Sequence, residues 1–315
     1  MAKTALDLLQ ERVRGRTVLN APMDRLTTMG VGGPADVLVA PADRGDLAEA
    51  LRFLAEQRIP YLVLGKGSNL IVRDAGIRGA VITLEDGFRA VERRDPTPQG
   101  PTVRAEAGVA VRRFVRWTVD QGIAGFEPLV GLPATLGGAL AMNAGAWGFE
   151  LGQRVIEVEV MDPQGEVHVF PRDMLRFAYR GLELPEGSVI LAARLQGEAG
   201  EPALVKARAQ ELFQRRRDTQ PTQEASSGCI FKNPPGKSAG QLIDACGLKG
   251  VRNGGAEVSR IHANFIVNTG GATARQVVAL IGMVQERVYV RHRIKLEPEV
   301  RIVGEWERGK LRIQE

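Results

Sequence analysis

The sequence predicts an α+β protein of two domains, on three observations. Its 315 residues suffice for two domains that each bury a core. Amphipathic helical segments and short extended segments occur in both halves rather than in separate blocks. At Gly197-Glu198-Ala199-Gly200-Glu201-Pro202 the composition turns to glycine, proline and charge, which marks a boundary. The expected division is an N-terminal helix in 1–20, a first domain over 21–197 and a second over 203–315, with the last strands free to return to the first domain.

Composition narrows the class. Hydrophobic residues make up 44% and charged residues 25%, the balance of an ordinary soluble protein. There is no apolar run of about 18 residues, and Met1–Arg16 is short, amphipathic and charged, so a cytoplasmic protein without a membrane partner is expected. Nothing points to an oxidising compartment, and Cys229 and Cys246 are read as free thiols. The net charge of +5 comes mainly from arginine, with one dense cluster at Arg215-Arg216-Arg217. No basic face interleaved with aromatics accompanies it, so no nucleic-acid partner is expected and an anionic small ligand accounts for the charge equally well. His168, His262 and His292 are scattered without ligand spacing, so no metal site is expected. No feature dictates an assembly, and a monomer is the expected state.

Each element follows from local pattern. Pro41–Arg58 opens on cap residues and places Leu47, Ala50, Leu51 and Leu54 at helical spacing. Ile59-Pro60 ends that helix, and Tyr61–Leu64 reads as a short buried strand running into Gly65-Lys66-Gly67-Ser68-Asn69-Leu70. A dinucleotide fingerprint is excluded there, because position 70 is leucine and Leu70–Arg73 reads as a second strand where that motif needs a helix. The segment is either a turn that offers the amides of Gly67, Ser68 and Asn69 to phosphate or a simple hairpin.

Strands are expected over Ala80–Leu84 and Thr102–Ala107, and a helix over Val109–Gln121 from its Val111, Phe114, Val115 and Thr118 stripe. Asp162-Pro163-Gln164-Gly165 between Val155–Met161 and Val167–Phe170 signals a hairpin, and Val189–Leu195 a further strand. Past the boundary come a long helix over Pro202–Arg217, a linker-like Asp218–Ser227, and capping boxes at Ser238–Gln241 and Thr273–Gln276. The second of these opens a helix with Val277, Leu280, Ile281 and Val284 as its core stripe. Asn264–Asn268, Leu296–Val303 and Leu311–Ile313 read as strands, the last entered through a turn at Glu307–Lys310.

One stretch stands apart. Val130–Gly148 is almost all small residues and carries Gly131, Gly137, Gly138, Gly145 and Gly148, giving up both side-chain burial and backbone entropy. Either a large flat ligand bearing a diphosphate presses on this backbone, or helices pack closely there.

The combined motifs are specific. The Gly65–Leu70 turn is followed by Gly131-x-Pro133-x-x-x-Gly137-Gly138-Ala139-x-x-Met142-Asn143-Ala144-Gly145-Ala146. Then come Tyr179-Arg180, Ser227-Gly228-Cys229-x-Phe231-Lys232-Asn233-Pro234 and Leu296-Glu297-Pro298-Glu299-Val300-Arg301. In this order, from about Leu26 to Gly304, the chain resembles the UDP-N-acetylenolpyruvoylglucosamine reductase family. The resemblance implies a vanillyl-alcohol-oxidase (PCMH-type) FAD-binding domain of two α+β subdomains plus a smaller α+β substrate-binding domain. It implies NADPH as co-substrate and reduction of the enolpyruvyl ether of a UDP-sugar to UDP-N-acetylmuramate, a peptidoglycan precursor. The length, with no large insertion after Tyr179-Arg180, resembles the shorter subtype. Carried onto this chain, the motifs place Gly65, Lys66, Gly67, Ser68, Asn69, Leu70, Gly131, Pro133, Ala134, Thr135, Gly137, Gly138, Met142, Asn143, Ala144 and Gly145 around a non-covalent FAD. Tyr179, Lys232, Asn233 and Gln241 fall to the substrate, Arg217 either does so or belongs to a solvated helix end, and His262 stays unassigned.

The chemistry gives three residues roles. Hydride adds to the terminal carbon of an enol ether only if charge flows into the attached carboxylate. A guanidinium answers that need, and Arg180 is the candidate, against a plain surface ion pair. Glu299 resembles the family's second polarising group, which requires a raised pKa, and Glu297, read as lying on the same strand face, is the runner-up. Cys229 stands where the family commonly has serine; a thiol with an ordinary pKa of about 8.5 donates a proton more readily than an alcohol, against a role as a small buried hydrophobe. Two other readings are an oxidase of the same fold, for which covalent flavin attachment is doubtful because no histidine precedes His168, and a UDP-sugar-binding regulator without flavin.

Overall fold

The computed structural model describes residues 4–306. Seven α-helices occur among them: α1 Ala5–Arg12, α2 Arg44–Glu56, α3 Val111–Asp120, α4 Leu136–Ala141, α5 Pro202–Thr219, α6 Ala239–Ala245 and α7 Ala274–His292. The chain forms two compact units, each assembled from separate stretches. The first takes the stretch up to Leu19, Val37–Lys66 and Gly79–Arg215; the second takes Asn20–Asp36, Gly67–Arg78 and the chain from Arg216 onward.

In the first unit an antiparallel sheet runs in the order Val167–Pro171, Val155–Met161, Val189–Gln196, Gly100–Glu106, Val91–Thr97. Its apolar residues join one core with the buried stripes of α2 (Leu47, Ala50, Leu51, Leu54) and α3 (Val111, Phe114, Val115). Each such leucine, valine or phenylalanine contributes roughly 1.5–3 kcal/mol on burial. α2 is fixed at its start by Asp43, which accepts from the Asp46 N–H at 2.9 Å. Asp46 itself is buried and holds the backbone N–H groups of Arg14, Gly15 and Ala42, each at 2.8 Å, which ties the segment after α1 to α2. Tyr61–Leu64 pairs in parallel with Ala80–Thr83.

The second unit has a sheet in the order Ala225–Cys229, Phe265–Asn268, Ala256–Val258, Arg252–Asn253, packed by the α7 stripe Val277, Leu280, Ile281, Val284 and Val288. Thr273 and Gln276 complete the expected capping box of α7, and Asp74 accepts from the Ala274 and Arg275 N–H groups at 2.8 and 3.0 Å. Leu70–Val72 pairs in parallel with Arg301–Val303.

Several expectations change in detail. The N-terminal helix ends at Arg12, and Arg16–Pro22 is a strand rather than the tail of a helix spanning 1–20. The units divide at Arg215/Arg216, within α5, instead of near residue 200, and the second unit reclaims two stretches from the first half. Tyr61–Leu64 and Leu70–Val72 join different sheets, which removes the hairpin reading of the Gly65–Leu70 turn. The expected Leu296–Val303 strand is realised only at Arg301–Val303. Around Pro298 the chain makes only an isolated antiparallel bridge to Phe231, so Glu297 and Glu299 flank that bridge rather than lie within a strand. The Glu307–Lys310 turn and Leu311–Ile313 strand lie outside the described residues.

Candidate active site

The first unit contributes a set of turns around the small-residue stretch. Thr135 is buried and caps α4, accepting from the Gly138 N–H at 3.2 Å. Gly65 is glycine because a Cβ there would come within 2.6 Å of Thr135 Oγ1. At Gly137 a Cβ would lie 2.8 Å from Ala107 Cβ, and at Gly145 2.2 Å from the Phe149 carbonyl oxygen, so at these two positions the protein's own chain presses on the backbone. Gly138 differs: its open side meets only the Thr135 hydroxyl within 4 Å, and Gly148 meets nothing. The small-residue stretch therefore combines close packing with open backbone. Lys66 forms an ion pair with Glu85.

Arg180 lies in the same unit, at the second loop position of the hairpin Arg176–Ala178 and Gly181–Glu183. Its φ is +61°, a left-handed conformation that a β-carbon disfavours. The guanidinium lies 5.1 Å from the centroid of the exposed Tyr179 ring, and Nη1 donates to the Gly145 carbonyl at 3.4 Å. Arg180 and the end of the small-residue stretch are thus brought together. Asn143, expected at the cofactor, spends its side-chain amide on protein groups: Nδ2 donates to Glu150 Oε2 and the Ala178 carbonyl, and Oδ1 accepts from the Gly152 N–H. Arg215 lies over the Trp147 ring at 5.8 Å.

The second unit gathers the other half of the Gly65–Leu70 turn with Cys229 and Glu299. Gly67, at φ +61°, is forced by the approach of the Leu26 carbonyl, 2.5 Å from where a Cβ would sit. Asn69 Nδ2 donates to the Glu299 carbonyl at 3.1 Å, and the Arg301 N–H donates to the Asn69 carbonyl at 3.0 Å. Ser227 Oγ donates to the Leu70 carbonyl at 3.3 Å. Between Ser226 and Cys229 the strand register shifts, with Gly228 at φ +70°, and this bulge re-aims the half-buried thiol.

Glu297 and Glu299 differ in surroundings. Glu297 is exposed and pairs with Lys232 at 3.6 Å, whereas Glu299 is half-buried and its N–H donates to the Ile230 carbonyl at 2.7 Å, one residue from Cys229. Asn233 Oδ1 accepts from the Ala239 N–H at 3.0 Å. Gln241 is exposed on the first turn of α6, its N–H donating to Ser238 Oγ at 3.3 Å.

In the arginine cluster Arg217 is exposed, while its neighbour Arg216 is only 6% exposed. Burial lowers the Arg216 pKa, and the negative charge available at Cys229 opposes that shift. Sequence reading passed over Arg216, although the signal was there: Val205, Ala209, Leu212 and Arg216 form one buried stripe along α5, in which a cation occupies an apolar position.

The chain is similar to known proteins over nearly its whole length. A family model described as UDP-N-acetylenolpyruvoylglucosamine reductase, C-terminal domain, matches residues 220–303, and one described as FAD binding domain matches 35–170. The UDP-N-acetylenolpyruvoylglucosamine reductase of Alkalilimnicola ehrlichii is 47% identical over 284 residues, spanning 90% of this chain and 93% of that protein. That of Geobacter metallireducens is 45% identical over 299 residues, spanning 94% of this chain and 97% of its own length. A crystal structure of the Thermus caldophilus enzyme of that name superposes with a TM-score of 0.77 at 38% identity, covering 92% of this chain and 98% of the other.

Proposed function

The chain belongs to the UDP-N-acetylenolpyruvoylglucosamine reductase family, a family of FAD-dependent oxidoreductases, and from that premise we propose that it reduces the enolpyruvyl ether of UDP-N-acetylglucosamine to UDP-N-acetylmuramate with NADPH as electron donor. The observation that carries the proposal is the convergence, within the second unit, of the Gly67–Leu70 turn, Cys229 and Glu299, which come from three distant parts of the chain.

The residues fit FAD. The open side of Gly138 and the unobstructed Gly148 leave backbone that a flat ligand can approach. The groups that would hold it are the backbone of Gly65–Leu70 and of Gly131–Thr135 together with Gly138. When bound, FAD supplies hydride for the terminal carbon of the enolpyruvyl group. Arg180 binds the substrate carboxylate and stabilises the enolate that forms as hydride arrives. Glu299 assists that polarisation. Cys229 delivers its proton to the substituted carbon, which completes the lactyl ether, and the thiol is restored from solvent. Tyr179, Lys232, Asn233, Arg217 and Gln241 are assigned to the UDP-sugar, with the second unit as the main substrate-binding body.

The test is made in one anaerobic cuvette. The purified protein is expected to show a flavin spectrum, to bleach on addition of NADPH and to recover its colour when the enolpyruvyl substrate is added. Bleached protein that stays colourless with substrate but recovers rapidly in air would instead identify an oxidase.

A further inference from the structure

Asn143 is 1% exposed and left-handed at φ +41°, and every polar atom of its side chain is engaged inside the first unit. Nδ2 reaches Glu150 Oε2 at 2.9 Å and the Ala178 carbonyl at 3.0 Å, while Oδ1 takes the Gly152 N–H at 2.9 Å. Three segments meet on this one amide: the end of the small-residue stretch, the 150–152 segment, and the strand that leads into Tyr179-Arg180.

The hairpin is held from a second side as well. Phe177 packs so closely on Gly152 that a Cβ there would lie 2.6 Å from its ring, and the Arg172 guanidinium covers that ring at 5.0 Å while Nε donates to the Gly152 carbonyl at 3.1 Å. Ala178 pairs with Gly181 across a loop of just Tyr179 and Arg180. A non-glycine residue in the left-handed region is maintained only where its surroundings over-determine it. The Ala178 carbonyl, one residue from the loop, is where Asn143 applies that constraint.

We infer that Asn143 is a positioning residue for Arg180, fixing through the Ala178 carbonyl the left-handed turn that aims the guanidinium at the substrate carboxylate. This rests on the role proposed above for Arg180. It gives Asn143 a task in the half-reaction that consumes substrate and none in the half-reaction that consumes NADPH.

Asn143→Asp removes both N–H donors and keeps an acceptor for Gly152. In rapid-mixing experiments on the FAD-loaded protein, reduction by NADPH is expected within about twofold of the parent, while reoxidation by the enolpyruvyl substrate slows on the order of 10²-fold, the scale of a misplaced reacting group. In an Arg180→Met background the same change is expected to add almost nothing, since both residues then act through one missing group. Full-rate reoxidation of Asn143→Asp, multiplicative losses in the double variant, or selective loss of FAD from Asn143→Asp would each overturn the inference. Arg180→Met reoxidised at the parental rate would remove instead the reading on which it stands. Should Asn143→Asp fail to fold, Phe177→Leu loosens the same hairpin, and a slowing confined to the substrate half-reaction is again required; equal slowing of both halves counts against the inference.

Discussion

The side-chain amide of Asn69 is bonded to the main-chain carbonyl of Glu299 at 3.1 Å across 230 residues of sequence. The turn expected to hold the cofactor and the acid expected to polarise the substrate are thereby locked to one another at the level of the backbone, and Glu299 rather than Glu297 is the residue so fixed.

The two glutamates should separate on mutation. Glu299→Gln is expected to lower turnover on the order of 10²-fold, whereas Glu297→Gln, which loses only an exposed pairing with Lys232, should stay within about threefold of the parent. Steady-state rates at saturating NADPH decide it, and equal losses would withdraw the assignment.

Cys229→Ala should retain FAD and its reduction by NADPH yet lose about 10²–10⁴-fold in product formation, the usual contribution of a positioned acid. Cys229→Ser should recover most of that loss, because the hydroxyl can occupy the same place on the bulge. An alanine variant with parental turnover would show that the proton comes from elsewhere.

Gly67→Ala is expected to be damaging out of proportion to its size. The left-handed φ of +61° disfavours a β-carbon by about 1–2 kcal/mol, and the Leu26 carbonyl 2.5 Å away leaves no room for one. The measurable outcome is a fall in flavin content per chain, read from visible absorbance, together with a lower urea midpoint.

Glu159 sets an acid limit on the first unit. Hydrogen bonds from Arg104 (2.6 and 3.0 Å), and then from Arg44, hold its pKa below the ordinary value of 4.5 against the opposing effect of burial. Below that ordinary value the unfolded chain binds the proton first, so the stabilisation is complete above it and is lost as pH falls through the folded pKa. Thermal unfolding followed downward from pH 6 should show this loss in the parent and a flatter profile in Glu159→Gln.

Asp74→Ala should weaken the second unit. It deprives the first turn of α7 of two acceptors and of a negative charge at the helix N-terminus, worth about 1–2 kcal/mol together. Urea unfolding should report it as a shift in midpoint with an unchanged slope.

Much of this was legible in the residues. α2, α3 and α7 were readable because their apolar stripes keep helical spacing and face a core, and the Val155–Met161 strand because its hairpin carries a clear turn signal. Val91–Thr97 escaped because it lies at a sheet edge, where Glu92, Arg93, Arg94 and Asp95 carry no buried alternation and Pro96 argues against a strand. The glycines were legible as close approaches, but not what approached: at Gly137 and Gly145 it is the chain itself. Asn143 was read as a cofactor contact because its motif surrounds a ligand, whereas its bonds to Glu150, Gly152 and Ala178 depend on tertiary neighbours that no spacing encodes.

The parallel pairing of Leu70–Val72 with Arg301–Val303 also bears on biosynthesis. Arg73 Nη1 bonds the Gly304 carbonyl across 231 residues, so during translation the early strand emerges long before its mate and presents an open apolar edge. Over that interval the nascent chain carries an unpaired strand, and slowing elongation between the two segments should lengthen the interval.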